Sequence, residues 1–206
     1  MLAQDLAAPN AALTVLDAVT QKGLAVGVLI NNAGYGMQGK VLEMSMPEVE
    51  RMVQLNVTAL THLTQLFARE MARAGGGYIL NVASAAAFLP SPFVGAYAAT
   101  KAYVLSFSEA LRFELRGTGV SLTTLYPGIT TTEFNEVAHA KTPAVMNLSI
   151  LSANAVARAG LRAMFARKRA MIPGFINKVN AFFCTVLPRG LIVYVTGKIL
   201  GRANGW

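Results

Sequence analysis

The chain has 206 residues, 54% of them hydrophobic and only 14% charged, which excludes a disordered chain and suits one domain with a sizeable core. A single cysteine, Cys184, excludes an intrachain disulfide and fits a reducing compartment. Asp5 and the lack of a basic run near the start argue against a secretory signal, so a cytoplasmic protein is expected. The formal charge of +8 is uneven: residues 1–136 hold 8 Lys+Arg and all 10 Asp+Glu, whereas residues 137–206 hold 10 Lys+Arg and no acid.

Residues 26–31 (VGVLIN) are a short apolar run, as for a strand buried on both faces. Residues 47–73 predict a long helix, with Pro47 in its first turn, Glu48 and Glu50 at its positive end and Arg69 and Arg73 at its negative end, stopped by the glycines at 75–77. Strands follow over 78–83 (YILNVA) and 120–126 (VSLTTLY), separated by a helix over 93–116. Residues 127–150 read as a polar loop or lid. Residues 152–168 read as a helix with Ser152 as N-cap, 170–172 as a short last strand, and about 174–186 and 189–200 as two apolar helices. Strands alternating with such helices predict an α/β chain with a parallel sheet, whose ligand site lies beyond the carboxyl ends of the strands. The longest uncharged run, residues 74–100, is broken by Gly75, Gly76, Gly77, Pro90 and Pro92, and Lys178, Arg189 and Lys198 break the tail, so no membrane span is expected.

The residues with chemical potential fall at those strand ends. The first strand runs into "NNAG" (31–34), the second ends at Ser84, and the third ends in "YPG" (126–128), followed by Thr130, Thr131 and Thr132. Asn56 sits inside the long helix, where an Asn is mildly unfavourable. Tyr97 and Lys101 are i, i+4 neighbours on one helix face. A phenol with an ordinary pKa of about 10 works as a neutral-pH acid/base when that value is pulled towards about 7, and a neighbouring ammonium favours the phenolate. Taken singly, each feature has a plain alternative: an Asn-Gly-rich strand exit, or a Tyr–Lys pair on a helix surface. His62 and His139 stand far apart without Cys or acid patterns around them, so no metal site is expected. Met37, Met44, Met46 and Met52 read as packing residues. Phe134, Met146, Leu148 and Ile150 either make the lid pocket apolar or anchor the lid.

Together, "NNAG", the Asn of "LNVTA", Ser84 before a Pro-containing loop, Y-x-x-x-K and "PG…T" stand in one order that resembles the short-chain dehydrogenase/reductase family, from about residue 1 to about residue 174. The resemblance implies a Rossmann-like doubly wound parallel sheet over 1–174, followed by a basic, apolar helical extension over 175–206. It implies that Tyr97 exchanges a proton with the substrate oxygen and that Ser84 hydrogen-bonds that oxygen. Lys101 would lower the pKa of Tyr97 and bind the nicotinamide ribose, and Asn56 would hold a water linking Lys101 to solvent. Asn32, Ala33 and Gly34 would line the cofactor, Pro127, Gly128 and Thr132 would frame the nicotinamide, and Asp5 in "QDL", at the end of the family's third strand, would meet the adenine. The implied cofactor is NAD(P), with NADP the expected form, although the residues that discriminate the two are not among those present.

The family's opening strand and T-G-x-x-x-G-x-G turn are also not among them. On this resemblance the sequence is N-terminally truncated, starting at the family's third strand. Met1 is then an internal methionine, and the strand at 26–31 becomes an apolar edge. An in-frame glycine-rich turn upstream would support this, and a stop codon just before Met1 would sink it. The expected function is NAD(P)-dependent hydride transfer between nicotinamide and the alcohol/carbonyl of a small apolar substrate. The alternative is a cofactor-incompetent fragment acting as an interaction or membrane-surface module. The basic tail leaves peripheral membrane contact open, nucleic acid is not an expected partner, and a homo-oligomer is implied by analogy alone.

Overall fold

A computed structural model describes residues 1–132 and 148–205. Its centre is a parallel sheet of four strands, β1 (Val28–Asn31), β2 (Gly77–Val82), β3 (Val120–Leu125) and β6 (Ala170–Met171), in the spatial order β1-β2-β3-β6. Ile79 sits opposite Leu29 on one side and Leu122 on the other, so the apolar runs are in register across the sheet. Two further short strands, β4 (Thr130–Thr131) and β5 (Leu151–Ser152), pair with each other within and just after the segment read as loop; the β-branched threonines suit that extended pairing.

Helices cover both faces unequally. On one face lie α1 (Ala11–Gln21), α3 (Leu60–Arg73) and α4 (Gly95–Glu114), with Phe67, Met71, Ile79 and Leu122 forming the main core. On the other lies α5 (Ala153–Phe165), where Val156 and Met164 pack on Leu80 and Leu125. Ser152 caps α5, its hydroxyl accepting from the Ala155 N–H at 3.3 Å, as the sequence predicts. α5 does not reach β1. Val28 and Ile30 are therefore 39% and 45% exposed, while Leu29 packs into the main core. This corrects the expectation of a strand buried on both faces: β1 is the sheet's edge among the described residues, covered on one face only. The expected strand end at "QDL" is also absent. Residues 1–5 carry no regular structure, and α1 follows a turn tied by the Asp5 carboxylate, which accepts from the Ala7 N–H at 3.0 Å.

The long helix read over 47–73 is α2 (Met46–Val53) running into α3 through a π-turn at Gln54–Ala59. A π-turn inserts an extra residue into the helical ladder and recurs at functional sites. Asn56 lies in it and is 1% exposed. The chain closes with α6 (Phe175–Val186) and α7 (Arg189–Asn204). Among the described residues no helix is long and apolar enough to cross a membrane.

Candidate active site

The site assembles where β1, β2 and β3 end. After β2, the Ala83 N–H donates to the Leu125 carbonyl at 2.8 Å and the Ala85 N–H to the Pro127 carbonyl at 2.8 Å. The parallel pairing thus persists past both strands and fixes Ser84 beside the 126–128 turn. Ser84 begins a short 3₁₀ turn, its hydroxyl accepting from the Ala86 N–H at 3.1 Å. The same hydroxyl hydrogen-bonds the Tyr97 phenol on α4. One turn along α4, Lys101 is only 5% exposed, its Nζ donating to the Val82 carbonyl at 3.0 Å and lying 5.8 Å from the centre of the Tyr97 ring.

The "NNAG" exit meets the same point. A Cβ built on Gly34 would fall 2.8 Å from Asn56 Oδ1 and 3.5 Å from Lys101 Nζ, so only glycine fits there. Asn56 cannot easily yield. Its Oδ1 accepts from the Tyr35 N–H at 3.2 Å, and its Nδ2 donates to the Tyr35 carbonyl at 2.9 Å and to Thr100 Oγ1 at 3.1 Å. The Asn56 side chain is thereby spent on clamping the 34–35 backbone to α4. This geometry makes the side chain a positioning group for the 34–35 backbone.

Burial sets the electrostatics. Lys101 pays for its dehydration with a pKa lowered to about 8. Burial also pushes the Tyr97 phenol above its ordinary value, opposed by the Ser84 hydrogen bond. Desolvation is the larger influence on Tyr97 and the Ser84 hydrogen bond the smaller. Tyr97 stands as a protonated phenol at neutral pH.

The remaining predicted residues are placed less tightly. Asn32 and Ala33 are exposed beside Gly34. Pro127 and Gly128 are half-buried at the end of β3, and the Gly128 carbonyl accepts from Thr130 Oγ1 at 3.0 Å. Gly128 receives Asn177 of α6, whose amide atoms lie 2.5 to 2.6 Å from where a Cβ would stand. Thr132 follows β4 and is exposed. Asp5 is not brought to the cluster. It pairs with Arg51 of α2 at 2.9 Å on the surface, and its carboxyl is held below the usual range first by the Ala7 N–H and then by Arg51. Phe134, Met146 and His139 lie outside the described residues, while Leu148 is exposed and Ile150 half-buried.

Sequence reasoning missed a buried polar chain beneath the site. Asn31 Nδ2 donates to Thr64 Oγ1 at 2.8 Å and to Asn81 Oδ1 at 2.9 Å, and Asn81 Nδ2 donates to Ser108 Oγ at 3.0 Å. It ties β1, β2, α3 and α4 together. The available signal was an asparagine inside each of two apolar strands. Thr100 was missed as well. It sits between Tyr97 and Asn56, its Oγ1 donating to the Tyr97 carbonyl at 2.7 Å.

Comparison with known proteins agrees with this geometry. A family model described as short chain dehydrogenase matches residues 1–143. Ketoacyl reductase HetN of Nostoc is 37% identical over 103 residues, which is 50% of this chain and 36% of that protein. Very-long-chain 3-oxoacyl-CoA reductase-B of Danio rerio is 32% identical over 119 residues, 56% of this chain and 38% of that protein. The aligned stretch makes up between 17% and 38% of the length of the curated relatives it matches. A short-chain dehydrogenase from Sphingobium yanoikuyae in complex with NADPH superposes with a TM-score of 0.75 at 27% identity, over 90% of this chain and 75% of that one. With the Ser84–Tyr97–Lys101 constellation at the strand ends of a parallel sheet, and with the match covering well over half its length, the chain belongs to the short chain dehydrogenase family.

Proposed function

We propose that this protein is an NAD(P)-dependent oxidoreductase that reduces the carbonyl of an apolar substrate. The observation that carries the reading is the contact of the Ser84 hydroxyl with a Tyr97 phenol that burial keeps protonated, one helical turn from the buried Lys101 amine. A protonated phenol can donate, so Tyr97 is suited to act as the general acid when a carbonyl is reduced. Ser84 turns its hydroxyl to the substrate oxygen, and Tyr97 delivers its proton to that same oxygen as negative charge develops there. The reductases among the relatives support this direction.

The residues present fit the nicotinamide-ribose end of a dinucleotide. The Gly34 backbone passes close to Lys101 Nζ, and the amine needs only to leave the Val82 carbonyl to meet a ribose hydroxyl. Asn32 and Ala33 at one wall and Pro127, Gly128 and Thr132 at the other are the proposed lining, with Asp5 assigned to the adenine end and Asn56 holding the loop. Bound there, the nicotinamide supplies the hydride to the carbonyl carbon. NADP is the proposed form, supported by the NADPH complex of a structural neighbour.

The test is an NADPH and NADH titration of the folded 206-residue chain, followed by NADPH consumption with a 3-oxoacyl thioester and a bulky ketone. Turnover that Tyr97→Phe abolishes while cofactor binding persists is the expected result. Equal turnover by Tyr97→Phe would remove Tyr97 from its role. No binding at millimolar cofactor would favour the alternative, a cofactor-incompetent member acting as an interaction or membrane-surface module.

A further inference from the structure

The α6–α7 pair presents an inverted surface. α6 buries Asn177 and Ala181 and half-buries Cys184, spaced i, i+4, i+7 along one stripe. The opposite stripe is apolar and bare: Phe175 is 80% exposed, Phe182 61% and Val186 57%. α7 repeats the pattern. Ile192 and Leu200 face inward, while Leu191, Tyr194 and Val195 are exposed on a stripe that continues into Lys198 and Arg202. Lys178 precedes Phe182 by four residues and Lys198 follows Tyr194 by four. In both helices a cation therefore stands about 6 Å along the axis from an exposed aromatic. Lys198 and Arg202 also edge an open groove of about 410 Å³ against Pro92 and Phe93.

A helix lying in a bilayer interface sinks its apolar face by about 5–10 Å and keeps its basic heads among the phosphates. Both stripes have those dimensions and that order. Two alternatives fit less well. Solvated helices would leave a contiguous aromatic and aliphatic surface in water. A symmetric contact with a second copy would set Lys178, Arg189, Lys198 and Arg202 against the same four cations, with no acid anywhere in residues 137–206 to offset them.

We propose that α6 and α7 dock this protein peripherally on an anionic phospholipid bilayer. Phe182 and Tyr194 enter the acyl boundary, and Lys178, Lys198 and Arg202 engage headgroup phosphates. The contact is with the interface rather than across it, and it does not depend on the oxidoreductase reading.

Flotation of the full chain with phosphatidylcholine vesicles, with and without phosphatidylglycerol, tests this. The expected result is flotation with the anionic vesicles alone. Lys178→Gln with Lys198→Gln should lower the partition coefficient about thirtyfold at low salt, each neutralised cation contributing about fivefold. Phe182→Ser with Tyr194→Ser should lower it as well, at unchanged charge and unchanged thermal melt. Absence of flotation would overturn the proposal, as would equal binding to both vesicle types. A dimer on sizing columns that Phe182→Ser and Tyr194→Ser dissociate, without flotation, would assign the surface to self-association instead.

Discussion

The strand-end region and the C-terminal helices break the same rule in opposite directions. Around the site, polar groups are inside: Asn31, Asn56, Asn81, Thr64, Thr100, Lys101 and Ser108 are all buried. In α6 and α7 apolar groups are outside, with Phe175, Phe182 and Tyr194 well exposed. Buried polar groups and exposed apolar surfaces are the informative departures from ordinary packing. In the first region each departure is offset by a hydrogen-bond partner within the chain. In the second, the exposed rings meet little among the described residues beyond the Phe182–Phe183 edge contact and Lys198 over Tyr194. The lesson is that internal polarity here marks chemistry, and external apolarity marks a neighbour.

The comparison can be broken most sharply at Tyr97. Replacing it with Phe should cut carbonyl reduction about a thousandfold, within the usual range for losing a general acid, with NADPH affinity unchanged by fluorescence titration. Next comes Asn81→Ala. It strips partners from Asn31 and Ser108 in a dry interior, so urea unfolding should show a loss of about 3 kcal/mol. If the loss is under 1 kcal/mol, the polar chain is not what holds β1, β2 and α4 together.

Lys101→Met should do the reverse. The amine's pKa falls from 10.5 to about 8 in the fold, so the charged form is disfavoured there. Below pH 8 the folded protein carries that cost in full, and it fades as pH rises from 8 to 10.5, where the unfolded chain still binds the proton. The variant should therefore be about 2 kcal/mol more stable at pH 7, after allowing for the lost bond to Val82, and the gain should vanish above pH 10.5, read from thermal melts across pH. The smallest effect belongs to the other region. Phe182→Ser should change folding stability by less than about 0.5 kcal/mol, because that side chain is not part of any core.

Much of this was legible in the chain itself. Apolar runs located β1, β2 and β3, and Gly75, Pro47 and Ser152 marked helix ends, because these depend on neighbours within a few positions. Tyr97 and Lys101 could be placed on one helix face from their spacing alone. What was not legible depends on distant partners. The exposure of Val28 and Ile30 follows from how far α5 reaches. The upward push on Tyr97 follows from desolvation by other elements. The clamp of Asn56 on Tyr35 needs a π-turn that no residue pattern announces.

Asn177 seated on Gly128 has a practical consequence. Protein engineers often trim greasy terminal helices to improve expression or crystallisation, and α6 invites that cut. Trimming at residue 174 would pull a plug from behind the 127–128 turn, so a better-behaved reagent would come with a slackened catalytic frame.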